Sequence, residues 1–415
     1  MKVLVVGSGG REHAIIWKLS GNPKIEKIYC ASGNAGIAQI CECVPIAPTE
    51  INKLVQFAKE TQIDLTIVGM DDPLVLGIVD EFEKEGLRIF GPNKKAAQLE
   101  GSKAFSKELM RKYNIPTADY KTFDQYEEAA AYLKQITFPT VVKVDGLALG
   151  KGVYICYSEE EAKNALLEIM QDKKFGTSGN KVVIEEFLEG EEVSILSFCD
   201  GKTVIPMVSS KDHKKAFDDD KGPNTGGMGT ISPTKAYTSE TADICMEKIF
   251  LPTVDALNKE GITYKGVIYF GLMLTKNGPK VIEYNARFGD PEAQVVIPRL
   301  ETDLLAIVNA CIDGTLNEVK IEWKDNHAIC VILASGGYPG SYEKGYEITG
   351  LDEIDTPDTI IFHAGTKAEG EKFLTNGGRV LGVTVLDETL EKATQKAYHI
   401  VDKINFKDKQ YRTDI

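Results

Sequence analysis

No run of apolar residues in this 415-residue chain approaches the roughly 20 that a membrane helix needs, so a membrane-spanning protein is not expected. A basic segment followed by a long apolar stretch is also missing near Met1, and no secretory leader is expected. The eight cysteines follow no zinc-ligand spacing; the nearest pair, Cys41-Glu42-Cys43, is not a C-x-x-C motif. Cys30, Cys199, Cys245, Cys311 and Cys330 lie in apolar stretches and read as small core residues, which suits a reducing cytoplasm. Basic residues are too few to balance the acidic ones, 48 against 62, leaving a net charge of −14. That balance excludes broad binding to nucleic acid or acidic membrane, although a small anionic ligand in a locally basic cleft remains open. There is no low-complexity segment and no convincing repeat.

What the chain does have is an ordinary globular composition, 43% hydrophobic and 27% charged, over a length that allows about two to four domains. Lys2 to Val6, Ile25 to Ala31, Leu65 to Gly69 and Arg88 to Phe90 read as short buried strands. Helical patterns cover Glu12 to Leu19, Glu50 to Thr61, Leu74 to Glu85 and Lys94 to Leu99. This alternation predicts a doubly wound parallel sheet. Its first turn, Gly7-Ser8-Gly9-Gly10-Arg11-Glu12-His13, can place backbone N–H groups around a phosphate. Gly7 and Gly9 match a dinucleotide fingerprint, but Glu12 holds the third glycine position, so a phosphate site of another kind is favoured over one for NAD. Arg11 adds a cation there, and Glu12 could accept from a hydroxyl or amine.

A second module follows a helix that Ser102 can cap. The strands Thr140 to Val144 and Val153 to Cys156 flank the loop Asp145-Gly146-Leu147-Ala148-Leu149-Gly150-Lys151-Gly152. Such a loop can close as a flap over phosphates, with Lys143 and Lys151 supplying charge and Gly146, Gly150 and Gly152 acting as hinges. After the strand Val182 to Ile184 come Glu185-Glu186-Phe187-Leu188-Glu189-Gly190-Glu191-Glu192. An acidic solvated turn is the plain reading. A strand end of this kind can also serve adenine with a carboxylate, a carbonyl and a backbone N–H, while a later glutamate accepts from ribose hydroxyls. Ser210 to Gly229 reads as a long polar loop of the functional kind. In it Asp212 and Lys214 could meet substrate charge, and His213 reads as a hydrogen-bonding residue.

The hairpin turn Lys276-Asn277-Gly278-Pro279 leads to Glu283-Tyr284-Asn285-Ala286-Arg287-Phe288-Gly289-Asp290-Pro291-Glu292. Residues two apart on a strand share a face, so Glu283 and Asn285 offer a charged and a neutral oxygen side by side. That pairing suits a hard cation such as Mg²⁺ whose other positions are filled by water and nucleotide phosphates. Arg287 could grip an anionic oxygen in a fork. From Ala328 onward, three strand patterns and the helix Leu390 to Lys403 predict a small α+β domain.

Together these runs resemble the ATP-grasp superfamily and, within it, the glycinamide ribonucleotide synthetase family. The combination of Arg-Phe-Gly-Asp-Pro-Glu with Gly222-Pro223-Asn224-Thr225-Gly226-Gly227-Met228-Gly229 is the specific part, and the resemblance spans the chain. It implies a multidomain α/β and α+β protein. The expected parts are an N-terminal domain over 1–102, an ATP-grasp domain over 103–322 with a flap at about 122–190, and a C-terminal domain over 323–415. It implies ATP-dependent joining of glycine to 5-phosphoribosylamine through glycyl phosphate, with ATP and Mg²⁺ (or Mn²⁺), in a cytoplasmic monomer. It assigns the metal to Glu283 and Asn285. The nucleotide falls to Lys103, Lys143, Gly146, Gly150, Lys151, Glu185, Glu186, Phe187, Leu188 and Glu192. Phosphoribosylamine and glycine fall to Gly9, Gly10, Arg11, Glu12, Gly227, Met228, Gly229, Asp290, Pro291 and Glu292. Arg287, Asp212, Lys214 and Asn224 would line the reacting centre. Many members of the superfamily carry an acidic residue on the preceding strand; here it reads Phe270-Gly271-Leu272-Met273-Leu274, so a symmetric two-metal cage is not expected.

Overall fold

Short apolar runs at the start of the chain pair in parallel because each is followed by a helix long enough to cross back over the sheet. The strands are β1 (Lys2–Gly7), β2 (Lys27–Ser32), β3 (Glu42–Val44), β4 (Leu65–Val68) and β5 (Ile89–Phe90), in the order β3-β2-β1-β4-β5. The computed structural model describes residues 1–415 except Leu149, in the glycine-rich loop, and Asp355. Val3 to Val6 are fully buried, so both faces of β1 are covered. Strand order reverses between β1 and β4, and the loops after them diverge into a crevice at their C-terminal ends. Arg11, after β1, and Met70 and Asp71, after β4, line it. The helix expected over Leu74 to Glu85 is divided into Asp71–Leu76 and Ile78–Lys84, because Gly77 between them is left-handed at φ 99°. The helix expected from Lys94 begins only at Gln98; Asn93 Oδ1 accepts from Ala96 N (2.9 Å) and makes a turn instead.

The flap is an antiparallel sheet of β6 (Tyr120–Phe123), β7 (Thr140–Val144), β8 (Val153–Cys156) and β9 (Val182–Glu186), ordered β6-β9-β7-β8. Phe123, Val142, Val144, Leu166, Ile169 and Ile184 form a core drawn from the flap alone, so it can move as a unit. Next come β10 (Glu191–Asp200) and β11 (Val204–Pro206), then β12 (Lys211–Asp212), β13 (Lys215–Phe217), β14 (Lys221–Asn224) and β15 (Gly229–Ser232), then β16 (Lys265–Thr275) and β17 (Gly278–Asn285). The central sheet runs β11-β10-β16-β17. The expected loop at Ser210 to Gly229 therefore holds three short strands and runs into a fourth, β15, at Gly229. Their pairing is set by non-local partners, which polar residues do not announce. Helical structure persists over Ser239 to Lys259, with a wider π turn at Met246–Phe250 just before Pro252, whose missing N–H would break a regular ladder.

The last module contains β18 (His327–Ala334), β19 (Glu347–Ile348), β20 (Thr359–His363), β21 (Thr366–Glu369), β22 (Lys372–Thr375) and β23 (Arg379–Asp387). Its main sheet, β12-β15-β18-β23-β20, borrows two strands from the middle of the chain. The helix Leu390–Lys403 turns Ala393, Ala397, Ile400 and Val401 into the core it shares with Ile329, Val331, Val383 and Val385. A larger core is shared by all three parts, joining Val5 and Ile15 to Phe198, Phe288 and Val296, and these to Ile332 and Phe362. Among the described residues, no helix is long and apolar enough to cross a membrane.

The first and last modules also meet through histidines. His363 N donates to His13 Nδ1 (2.8 Å), and His363 Nδ1 lies 3.1 Å from Thr366 Oγ1. Burial, aided by His363, pushes His13 down to about 3, and burial pushes His363 down to about 4. Both are neutral in the fold, so below pH 6.5 the unfolded chain binds more protons. Their stabilisation is complete above pH 6.5 and is lost as pH falls towards 4, by up to about 1.4 kcal/mol per pH unit for each group. A pH series of thermal unfolding should show a shallower acid slope for His13→Gln than for the parent; equal slopes would contradict this.

Candidate active site

Glu283 and Asn285 occupy alternate positions on β17, and both face one large cavity. The neighbouring strand leaves room for the acid. Gly271 is the register partner of Glu283, and a Cβ there would stand 2.8 Å from Glu283 Cγ. Burial opposes ionisation of Glu283, but Lys214, Lys143 and Lys103 overcome it and hold the carboxyl down at about 2. Lys214 Nζ lies 3.1 Å from Glu283 Oε1 and also pairs with Glu192. Burial works against the Lys214 ammonium, and Glu192 and Glu283 hold it well above the usual lysine range. The Asn285 amide is assigned with its nitrogen donating to Tyr284 O and Glu100 Oε1, both 3.1 Å, which leaves its oxygen free on the other side. An ionised carboxylate beside a free amide oxygen fits a hard cation. Among the described residues, no three His, Cys, Asp or Glu side chains converge to hold a metal, so an ion here would complete its shell with nucleotide oxygens and water.

The cavity has a volume of about 1010 Å³, with walls from all three modules and the flap. At one end, Lys103 donates to Gly146 O (3.2 Å) and Lys143 to Ile282 O (2.8 Å). Lys143 and Lys107 both pair with Glu185 Oε2, at 3.0 and 3.1 Å, with all three side chains at most 8% exposed. Burial lowers Lys107 to about 8, partly offset by Glu185. Glu185 Oε1 is buried without a partner. Glu186, Phe187, Leu188 and Glu192 continue this wall.

Asp212, Glu292 and Asn224 lie further along. Burial and then Glu292 push Asp212 well above the usual carboxylate range, and its Oδ1 has no partner. Glu292 Oε1 accepts from Ser194 Oγ (3.1 Å). Arg287 is braced by Glu100 (2.8 Å) and Asp71 (3.8 Å). Arg379, from β23, donates to Gly226 O and Asp290 O, both 2.7 Å. Burial opposes the Asp290 charge, yet Arg379 and Arg11 hold its carboxyl below the usual range. The flap loop is seated: Lys151 donates to Pro339 O (3.1 Å) and Asn224 Nδ2 to Val153 O (3.4 Å).

Most expected residues reach this cavity, including Arg11, Gly150, Lys151, Asp290 and Glu292, but eight do not. Gly9, Gly10 and Glu12 sit in the turn after β1, off the cavity wall. Gly9 N donates to Glu12 Oε2 (2.6 Å), Arg11 Nε pairs with Glu12 Oε1 (2.6 Å), and Glu12 is fully buried. A Cβ on Gly9 would stand 3.0 Å from Asp290 Oδ2, and one on Gly10 would stand 2.5 Å from Gln294 Nε2. The turn thus packs against Asp290 and Gln294. Gly146 sits against Ser178 and contributes only its carbonyl, to Lys103. Gly227 and Pro291 press together behind Asp212, where a Gly227 Cβ would be 2.4 Å from Pro291 Cδ. Met228 is fully buried with Ala334 and Tyr338, and Gly229 is paired into β15. Conversely, Lys107, Glu100, Asp71, Tyr338 and Arg379 line the cavity without belonging to any motif. The Ser102 cap places Lys107 one helical turn beyond Lys103, a spacing that could have pointed to it.

Comparison with known proteins gives matches along the chain. Family models described as phosphoribosylglycinamide synthetase match in three parts: the N domain over residues 1–100, the ATP-grasp (A) domain over 101–293 and the C domain over 328–415. A phosphoribosylamine–glycine ligase of Caldanaerobacter subterraneus subsp. tengcongensis is 54% identical over 415 residues, covering 100% of this chain and 99% of that one. One from Clostridium acetobutylicum is 50% identical, with coverage of 100% and 99%. The crystal structure of phosphoribosylamine–glycine ligase from Thermotoga maritima superposes with a TM-score of 0.88 at 35% identity, covering 100% of each chain. The biotin carboxylase domain of Hydrogenobacter thermophilus 2-oxoglutarate carboxylase, solved with MgADP, shares the fold: TM-score 0.75, 18% identity, coverage 98% and 90%. The expected three-part architecture, with its parallel N-terminal sheet and central ATP-grasp fold, is the one found.

The buried Lys107–Glu185–Lys143 triad makes a stability prediction. Glu185→Ala leaves two enclosed ammonium groups uncompensated and should cost about 3–5 kcal/mol in urea unfolding. A loss below about 1 kcal/mol would show that water already screens the lysines.

Proposed function

The chain belongs to the phosphoribosylglycinamide synthetase family and is an ATP-using ligase of glycine and phosphoribosylamine; we propose that it works through a glycyl phosphate formed and consumed inside the three-walled cavity. The observation that carries this reading is the ionised Glu283 beside the free Asn285 oxygen, ringed by Lys103, Lys143 and Lys214. In this reading adenine lies along Glu185 to Leu188, where the unpartnered Glu185 Oε1 accepts from its amino group. Glu192 faces the ribose hydroxyls. Lys103 and Lys143 reach the phosphates, while Glu283 and Asn285 would hold Mg²⁺. When bound, that ion neutralises charge on the phosphate oxygens as they are transferred.

The carboxylate of glycine attacks the γ-phosphoryl group, and ADP leaves. Asp212 and Glu292, an acidic corner with an unpartnered oxygen, face the glycine ammonium. The amine of 5-phosphoribosylamine then attacks the activated carbonyl carbon, giving up a proton as phosphate departs and glycinamide ribonucleotide is left. Arg11 and Asp290 mark the side from which this second substrate enters, next to the crevice between β1 and β4. Positioning and charge do the work, so no nucleophilic Ser or Cys is required. The seated flap keeps water from the acyl phosphate. Eight free cysteines agree with a cytoplasmic setting.

A coupled ADP assay with glycine and freshly made phosphoribosylamine tests this. Full ADP release should require both substrates, and Glu283→Ala should lower it at least about 100-fold while leaving the unfolding transition cooperative. Equal rates without the amine, formate or bicarbonate replacing glycine, or near-normal activity of Glu283→Ala at saturating Mg²⁺ would each contradict the reading.

A further inference from the structure

Lys214 and Asn224, which face the reacting centre, lie side by side at the open end of the β13–β14 hairpin. Lys215 is the register partner of Asn224, and Thr225 N and Oγ1 both donate to Lys214 O at 2.8 Å. The far end of this hairpin is hard to hold. Asp218, Asp219 and Asp220 follow one another, and Asp219 and Asp220 are left-handed at φ 58° and 52°, a conformation that side-chain-bearing residues resist. Three adjacent carboxylates also repel one another.

What holds it is a segment about 190 residues away in sequence. Arg412 is buried, with 2% of its side chain exposed. Its Nη1 donates to Asp220 Oδ1 (2.8 Å) and Lys215 O (3.3 Å), and its Nε and Nη2 donate to Asp414 (both 2.7 Å). Asp219 N donates to Asp414 Oδ2 (2.9 Å), and Thr413 N to Asp218 Oδ1 (2.9 Å), with the Thr413 hydroxyl also on Asp218. Tyr398 Oη donates to Arg412 O (2.9 Å) and accepts from Ile415 N (3.1 Å), which ties the segment to the last helix. The hairpin in turn seats the flap. Asn224 bonds to Val153 O, and the Gly150 Cα lies so close to Thr225 O that a Cβ would be 3.2 Å from it.

We propose that the Arg412–Asp414 segment is a clamp on the β13–β14 hairpin, and that Arg412 is a positioning residue for Lys214, Asn224 and the closed flap in the ligase reaction. This rests on the ligase reading for its effect on rate, but the clamp itself can be read without any substrate. Arg412 does not line the cavity. It acts by pairing with Asp220 and donating to Lys215 O, which fixes the turn, so its loss frees the hairpin and displaces Lys214 from Glu283.

The test is hydrogen exchange by mass spectrometry combined with steady-state kinetics, on the parent, Arg412→Ala, Arg412→Lys and Asp220→Asn. Asp220 lines the cavity mouth, so for Asp220→Asn, which removes the contact from its exposed side, the exchange of 213–229 is the deciding readout and keeps the test alive if Arg412→Ala does not fold. The expected result is faster exchange confined to peptides spanning 213–229 and the flap loop, with the β1–β5 sheet unchanged. Alongside it, kcat should fall about 10- to 100-fold, as misplacement of about 1 Å can cause. The KM for ATP should stay within about twofold, and Arg412→Lys should recover part of the rate. Unchanged exchange in 213–229, or faster exchange with kcat unaltered, overturns the proposal. A parent enzyme that fails to ligate glycine would instead overturn the functional reading and leave the exchange result standing.

Discussion

Glu283 lines the cleft with 27% of its side chain exposed, and lysines on three separate elements favour its charged form: Lys214 beside the hairpin at 3.1 Å, Lys143 on the flap and Lys103 at a helix start. Carboxylates enclosed in protein ordinarily pick up a proton, and only neighbouring opposite charge reverses that tendency. The same ring of charge therefore does two things. It keeps a hard anionic oxygen available at neutral pH, and it draws the flap and the hairpin towards β17. A cation or a chain of phosphates entering there meets a site whose charges are already arranged, which is the main way such enzymes lower a barrier.

The cavity exists as one space because the modules interlock at their polar ends and not only through their shared core. Asp290 is the meeting point. Arg11 N, at the start of the first module's leading helix, donates to its carboxylate (3.4 Å), Gln294 Nε2 donates to it (2.8 Å), and Arg379 pairs with it from the last module (3.3 Å). The glycines of the turn after β1 let it approach this junction closely: a Cβ on Gly9 would stand 3.0 Å from Asp290 Oδ2 and one on Gly10 2.5 Å from Gln294 Nε2. Two strands lent to the last module's sheet, β12 and β15, bind the loop carrying Asp212 and Lys214 to a rigid support. The flap keeps a core of its own.

Much of this was legible in the chain. The alternation of strand and helix in the first hundred residues gave the parallel sheet, and the spacing of Glu283 and Asn285 placed both on one face of β17. Charge near a glycine loop pointed to Lys143 and Lys151. The residues that escaped are those whose role comes from distant partners. Glu100 lies on a short helix and earns its place only by bracing Ala286, Asn285 and Arg287. Arg379 opens an ordinary strand, and Lys107 is one more helical lysine until Glu185 comes to face it. Gly227 and Gly229 lie off the cavity wall, crowded by Pro291 and Asp212 or by Cys330 and Ile415, and crowding cannot be told from ligand contact when only the letter is known.

The account is tested most directly by calorimetric titration of the parent and Glu283→Gln with ATP, each in excess Mg²⁺ and in chelator. The parent should bind ATP more tightly with Mg²⁺ than without it, and Glu283→Gln should lose that increment while binding metal-free ATP at least as well as the parent. If the variant retained the full magnesium increment, the metal would have to be held elsewhere and the role assigned to Glu283 would be wrong.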